Sequence, residues 1–225
     1  MDSNDGYIKG LYADLFLRIS SPTNAAVDGI HFKIHRLLAI KSPLLGALMA
    51  ETEGDQFLPN ASLVLQVVDP NITPEGLGIA IGHLYASYSA AILKNTSLGH
   101  PVQRAALLKS VLGSASLLRL PDLAQIATTL IMAEISLANV SLYTAFVAAG
   151  QHADAEYGAA LAEIRDTLHA FLCTGMLDAL PSDPWEDTEG EGYTTLAQVF
   201  AGLPFEWLKK IVESRDFDVP SDRER

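Results

Sequence analysis

The chain has 225 residues, 49% of them hydrophobic, which is enough apolar material for one large or two small domains and excludes wholesale disorder. Its formal net charge is −12, unevenly placed: residues 1–150 hold 9 Lys/Arg against 11 Asp/Glu, and residues 151–225 hold 6 against 16. An acidic chain without a basic stripe has little to neutralise nucleic-acid phosphates or an anionic membrane surface, so neither nucleic acid nor membrane is an expected partner.

The first predicted elements are two strands. Leu15, Leu17 and Ile19 alternate with Asp14, Phe16 and Arg18, and Ile30, Phe32 and Ile34 alternate with His31, Lys33 and His35. Period two is the signature of a half-buried strand. Between them lie Ser20, Ser21, Pro22, Asn24, Asp28 and Gly29, so the pair reads as a hairpin with a long loop. After His35 the period becomes helical, with Leu37, Ile40, Leu44 and Leu48 spaced three to four apart. Ser42-Pro43 interrupts that run. Pro43 lacks an N–H and fits the first position of a second helix, with Ser42 as its N-cap.

Residues 50–61 read as a polar loop, and Leu63 to Val68 as a third strand ended by Asp69-Pro70-Asn71. Thr73-Pro74-Glu75 opens a helix with an N-cap, a proline in the first turn and an acid on the positive end of the dipole. Its apolar face is Leu77, Ile81, Leu84, Tyr85 and Tyr88. Further helices are predicted over 105–119 and 123–135, separated by Leu120-Pro121-Asp122. Ser136 to Asn139 reads as a turn. A short helix over 141–150 comes next, then a long one carrying Tyr157, Leu161, Ile164, Leu168, Phe171 and Leu172. Pro181 to Tyr193 is the clearest loop. Two helices, 194–201 and 204–214, come after it, the second with Phe205, Leu208, Ile211 and Val212 inward.

The hairpin, then His-Arg with two apolar residues, then Ser-Pro opening a helix, resembles the start of a BTB/POZ domain. Asp14, Phe32, His35, Arg36, Leu37, Leu38, Ser42 and Pro43 fall in register with that pattern. The third strand and a helix ending His83-Leu84-Tyr85-Ala86 are similar to the family's next elements, and the helix pair over 105–135 resembles its last two. The family often continues with Thr-Gly and a brief turn after that Tyr; here 86–104 is longer. The Leu-Pro-Phe and Asp-Phe-Asp-Val-Pro-Ser stretches near the C-terminus resemble the opening of a BACK-type helical domain. The resemblance therefore implies an α+β fold: a small three-stranded sheet flanked by a helical cluster over residues 7–140, followed by an all-α BACK-like segment over 141–225. Ser221 and Glu224 form a capping box with no helix after it, so the segment is expected to be cut from a longer protein.

The family resemblance implies a binding function, not catalysis, and no cofactor. In the family, the acid of the first strand and the base after the His lie at a dimer interface, which places Tyr12, Asp14, His35 and Arg36 at a homodimer contact. An intrachain Asp14–Arg36 pair holding the hairpin to the first helix is the other reading, and both can hold at once. Adaptors for cullin-3 in this family often carry an apolar-x-Glu segment after the Ser-Pro helix. Met49-Ala50-Glu51 matches it, with Leu48, Glu53 and Tyr85 as further candidates for the scaffold-binding surface. The implied role is a substrate adaptor of a cullin-3 ubiquitin ligase, its substrate protein unidentified. The alternative is a BTB scaffold in transcription or morphogenesis that binds no cullin.

Residues suited to chemistry have plainer readings. His35 stands at a strand-to-helix junction, where a hydrogen-bonded structural histidine is expected, and no Gly-x-Ser-x-Gly elbow accompanies it. Gly76, Gly78 and Gly82 lie inside a helix, not between a strand and a helix, so they read as small residues for close packing and not as a dinucleotide loop. His152, Asp154 and Glu156 alternate, but ahead of a helix, where a solvated first turn fits better than a metal site. The acidic run Glu186 to Glu191 lacks the ligand order of an EF-hand. Cys173 is the only cysteine and sits in an apolar run, so it reads as a buried thiol without a disulfide partner. With no signal-peptide region in the first ten residues, an intracellular location, cytoplasmic or nuclear, is expected, and the Asn-x-Ser/Thr triplets at Asn60, Asn71, Asn95 and Asn139 read as chance. The apolar region from Leu130 to Gly150 is long enough to cross a bilayer, yet Glu134 in it would be costly in lipid, so core helices are expected.

Overall fold

Alternation places the strands. In the computed structural model, which describes residues 12–53, 61–86, 93, 100–149, 157–186, 189–214 and 217, β1 (Leu15–Ser20) lies between β2 (His31–Ile34) and β3 (Ala61–Gln66). β1 pairs antiparallel with β2, Leu17 opposite Phe32, and parallel with β3, Leu17 opposite Leu63. Leu15, Leu17, Ile19, Ile34, Leu63 and Leu65 all turn to one side and are buried, while Phe16, Arg18, His31, Lys33, Ser62 and Val64 face solvent. The third strand begins two residues before the apolar run that announces it, because Ala61 pairs with Leu15. The fold is mixed α+β, with a small sheet and a helical majority.

The chain divides into two compact units, residues 1–98 with 106–127, and residues 99–105 with 128–225. In the first, α1 (Arg36–Ala39) is a single turn and α2 (Pro43–Glu53) begins at the Ser-Pro break. Ser42 is buried, and its hydroxyl does two jobs: it accepts from Leu45 N–H at 3.3 Å as the N-cap and donates to the Leu118 carbonyl at 2.6 Å. The break changes which residues face inward. Leu37 and Ile40, in helical register with Leu44 and Leu48 by spacing, are exposed, and Ala39, Leu45 and Met49 are buried instead. A period that runs across a helix break does not define one face.

α3 (Pro74–Tyr85) starts as its sequence dictates: Thr73 Oγ1 accepts from Gly76 N–H at 3.2 Å, with Pro74 in the first turn. Leu77, Ile81 and Leu84 are buried. α4 (Pro101–Leu117) begins four residues earlier than the apolar periodicity indicates, at a proline suited to the first helical position. Its end is a Schellman turn: Leu120 N–H bonds Ala115 O at 2.8 Å and Arg119 N–H bonds Ser116 O at 3.1 Å, with Arg119 at φ 56°. α5 (Pro121–Ala133) then starts two residues before the predicted helix, with Pro121, read as part of the break, at its first position. Ser110 of α4 accepts from Thr73 N–H at 2.7 Å and pairs with the Thr73 hydroxyl at 2.9 Å. That contact needs Gly76, because a β-carbon there would stand 2.7 Å from Ser110 Cβ and 2.8 Å from its carbonyl carbon.

In the second unit α6 (Val140–Ala149) and α7 (Ala159–Ala170) pack together, and α7 continues through a wider π-turn, Phe171–Gly175, to Met176–Asp178. Cys173 is buried in that turn. Glu134 is held by Arg104 through two charge-assisted bonds, Nε to Oε2 at 2.9 Å and Nη2 to Oε1 at 2.8 Å. Asn139 is buried and spends its amide locally, donating to Glu134 O and accepting from Ser136 N–H, both at 2.8 Å. Tyr143 is fully buried beside this cluster, and desolvation raises the pKa of its phenol. α8 (Glu191–Gly202) starts three residues before the predicted helix, because Ser182 Oγ accepts from Gly192 N–H at 3.0 Å and supplies a cap from across the loop. α9 (Phe205–Val212) buries Trp207 and Ile211, whereas Phe205 is 72% exposed and Val212 also faces solvent. The inward face expected from Phe205 and Val212 is therefore one step out of phase; Trp207 sets it.

Tyr88, the His152/Asp154/Glu156 group, Asp187 in the acidic run, and the Ser221–Glu224 box lie outside the described residues. The crowding at Gly76 makes a paired test. Gly76→Ala should cost about 2 kcal/mol, since the clash is with α4 backbone as well as a side chain. Gly46→Ala, in α2 with nothing nearer than 3.9 Å, should stabilise by about 0.5–1 kcal/mol through helix propensity. Urea unfolding of the two variants checks both signs.

Candidate functional site

Three elements of the first unit meet at a polar junction. His35 is the N-cap residue of α1 but gives it no side-chain cap. The cap comes instead from the start of β1: Asp14 Oδ1 accepts from Arg36 N–H at 2.8 Å, and the Arg36 guanidinium Nε lies 3.9 Å from Asp14 Oδ2. The end of α3 closes the other side. Tyr85 Oη accepts from His35 N–H at 2.9 Å and lies 2.9 Å from His35 Nδ1, with the two rings edge-on at 5.6 Å between centroids. Burial raises the Tyr85 pKa, the His35 backbone bond partly opposes this, and the Asp14 charge adds to it. The phenol therefore keeps its proton at neutral pH. The arrangement ties a strand, a helix start and a helix end together through one carboxylate and one phenol.

Of the residues expected at an interface, Asp14, His35 and Arg36 are brought together, and Tyr85 joins them rather than the α2 group. The Asp14–Arg36 contact is an intrachain pair. Tyr12, two residues before Asp14, is 86% exposed, and Leu37 on α1 and Ile40 at its C-cap are 81% and 64% exposed. On α2, Leu48 is half-buried, Glu51 is exposed, and Met49 is 7% exposed with its side chain in the core. The Glu53 side chain lies outside the described residues.

One group of residues has no signal in the sequence. Lys41, Pro43, His83, Leu84, Arg119 and Asp122 line a cavity of about 310 Å³. Lys41 Nζ donates to Leu84 O at 2.8 Å, placing a cation on the negative end of α3. These residues come from three separate segments, and no local spacing links them.

Among the described residues no group of three His, Cys, Asp or Glu could hold a metal ion, and no helix is long and apolar enough to cross a membrane. Comparison of the chain with known families, curated proteins and solved structures returned no match.

The junction and the cavity each yield a test. Asp14→Ala should lower stability by about 1 kcal/mol through loss of the cap, and Asp14→Asn, which keeps an acceptor, should cost less; chemical denaturation would show the order. At His83, burial lowers the imidazole pKa most, Asp122 raises it and Lys41 lowers it further. A folded value below the unfolded 6.5 means this contribution to stability is complete above that pH and is lost as pH falls through the folded value. His83→Gln should therefore flatten the loss of stability as pH falls below 6.5; an unchanged pH profile would count against it.

Proposed function

We propose that the chain is a BTB/POZ-type protein-interaction module over about residues 7–140 with a BACK-like helical segment over 141–225, that it self-associates as a homodimer inside the cell, and that it serves as a substrate adaptor on a cullin-3-type ubiquitin ligase. The order of elements supports the reading: an antiparallel hairpin, two short helices split by Ser-Pro, a third strand parallel to the first, then helices. The observation that carries self-association is the exposed trio Tyr12, Leu37 and Ile40. The Asp14–Arg36 bond brings the residue two before Asp14 and the residue after Arg36 to the same end of the sheet. Burying side chains of this size is worth about 1.5–3 kcal/mol each, so a partner surface that covers them gains substantially.

The second reading, a scaffold that binds no cullin, is favoured by Met49. One apolar anchor of the apolar-x-Glu segment faces the core, which leaves Leu48 and Glu51 to carry a cullin contact.

Light scattering at tens of micromolar should give a dimer for the native chain and a monomer for Leu37→Glu/Ile40→Glu, both positions being exposed enough to leave the fold intact. A native monomer at all concentrations would remove the self-association reading. Calorimetric titration into the N-terminal domain of cullin-3 separates the two roles. Micromolar or tighter binding lost in Leu48→Asp/Glu51→Lys supports the adaptor, and no binding by a folded dimer supports the scaffold. Met49→Asp is unsuited to that test because it would place a charge in the core.

A further inference from the structure

The outer face of the sheet is open, and every residue on it between Phe16 and Gln66 that the strands present to solvent lacks a negative charge. β1 contributes Phe16 and Arg18, β2 His31 and Lys33, β3 Ser62, Val64 and Gln66, and all are exposed. The register puts Arg18 between His31 and Val64, and Phe16 between Lys33 and Ser62. Lys33 Nζ sits 5.9 Å from the Phe16 ring centroid, a cation over an aromatic face. The nearest described carboxylates along the chain are bonded elsewhere, Asp14 to Arg36 N–H, Asp28 to Ser21 N–H and Asp69 to Asn71 N–H, each at 2.8 Å. In a chain of net charge −12, this is a local basic surface with two apolar side chains set into it.

We infer that this face docks a short acidic segment of a partner protein, one that carries an apolar residue beside its carboxylates. Charge complementarity selects the sign: among the described residues, the strands place no acid beside Arg18 and Lys33 on this face. Size selects a short segment. Six residues of strand span about 20 Å, and three strands at about 4.8 Å spacing span about 14 Å, under about 300 Å² of sheet. A stable domain–domain contact uses about 800 Å² per partner. The charge of the whole molecule selects a segment over a polyanion. Charges beyond about 8 Å are screened at physiological salt, so a short peptide feels the face alone, whereas a nucleic acid or membrane meets the acidic remainder as well. The inference rests on the sheet face and is independent of the contact proposed through Leu37 and Ile40.

The test is selection of random peptides of about twelve residues, displayed on phage, against the full chain, with Arg18→Glu/Lys33→Glu as the counter-target. Circular dichroism and the urea midpoint establish that the variant is folded; if it is not, Arg18→Gln/Lys33→Gln takes its place. The expected result is enrichment of acidic peptides with an apolar residue. Their binding should fall about tenfold or more in the charge-reversed variant and weaken as salt rises from about 50 to about 300 mM. Phe16→Thr should weaken the same peptides without changing the salt dependence. No enrichment, or peptides that bind the native and charge-reversed chains equally, overturns the inference. So does tighter binding of a single-stranded oligonucleotide or of phosphatidylserine vesicles that is lost in the same variant, which would make the face a polyanion site.

Discussion

The parity of β1 is the constraint on which the first unit depends. It is the central strand, paired on both edges, and its odd-numbered residues Leu15, Leu17 and Ile19 are buried without exception. Side chains alternate with period two, so a slip of one residue in either pairing would send these three to solvent and bring Phe16 and Arg18 inward. Burial of a guanidinium without a partner is expensive enough to forbid that register. The same parity that builds the core therefore builds the basic outer face. One cannot be altered without the other, and the face is a by-product that the chain can put to use.

Asp14, one residue ahead of this strand, helps fix the direction in which α1 leaves the sheet. α1 is one turn long and could not persist alone, since a single turn fixes several dihedral angles for very few bonds. It persists because its first N–H is bonded by Asp14 and its N-cap residue by Tyr85, groups that belong to the start of a strand and to a helix far along the chain. A short helix held at one end by other elements can present its remaining surface without folding that surface into the core. Leu37 and Ile40 are left exposed beside these tethers.

Much of this was legible locally. The strands follow from alternation, and the helix starts at Pro43 and Pro74 follow from proline placed after a residue suited to cap the helix. Some of the features that escaped sequence reasoning are bonds between residues distant along the chain. The start of α8 depends on the Ser182 hydroxyl across a loop, and Tyr85 joins the His35 junction rather than the surface of α2. Phase was the other weakness. Apolar spacing over Phe205 to Val212 is compatible with two faces, and only the packing of Trp207 decides between them. The cavity at Lys41, His83 and Arg119 has no local pattern, because it is assembled from the end of one helix, the gap between two others and a turn.

The hydrogen bond from Ser42 to the Leu118 carbonyl sets an order of events. The first unit includes residues 106–127, so a ribosome that has delivered only the sheet and α3 has not yet delivered the segment that closes it. During that interval Ser42 has no distant acceptor and Gly76 has no Ser110 beside it. At roughly 5–20 residues per second of synthesis, the wait from β3 to Leu118 lasts several seconds. Until the end of α4 is synthesised, the hairpin and α2 wait for the partner that this bond supplies.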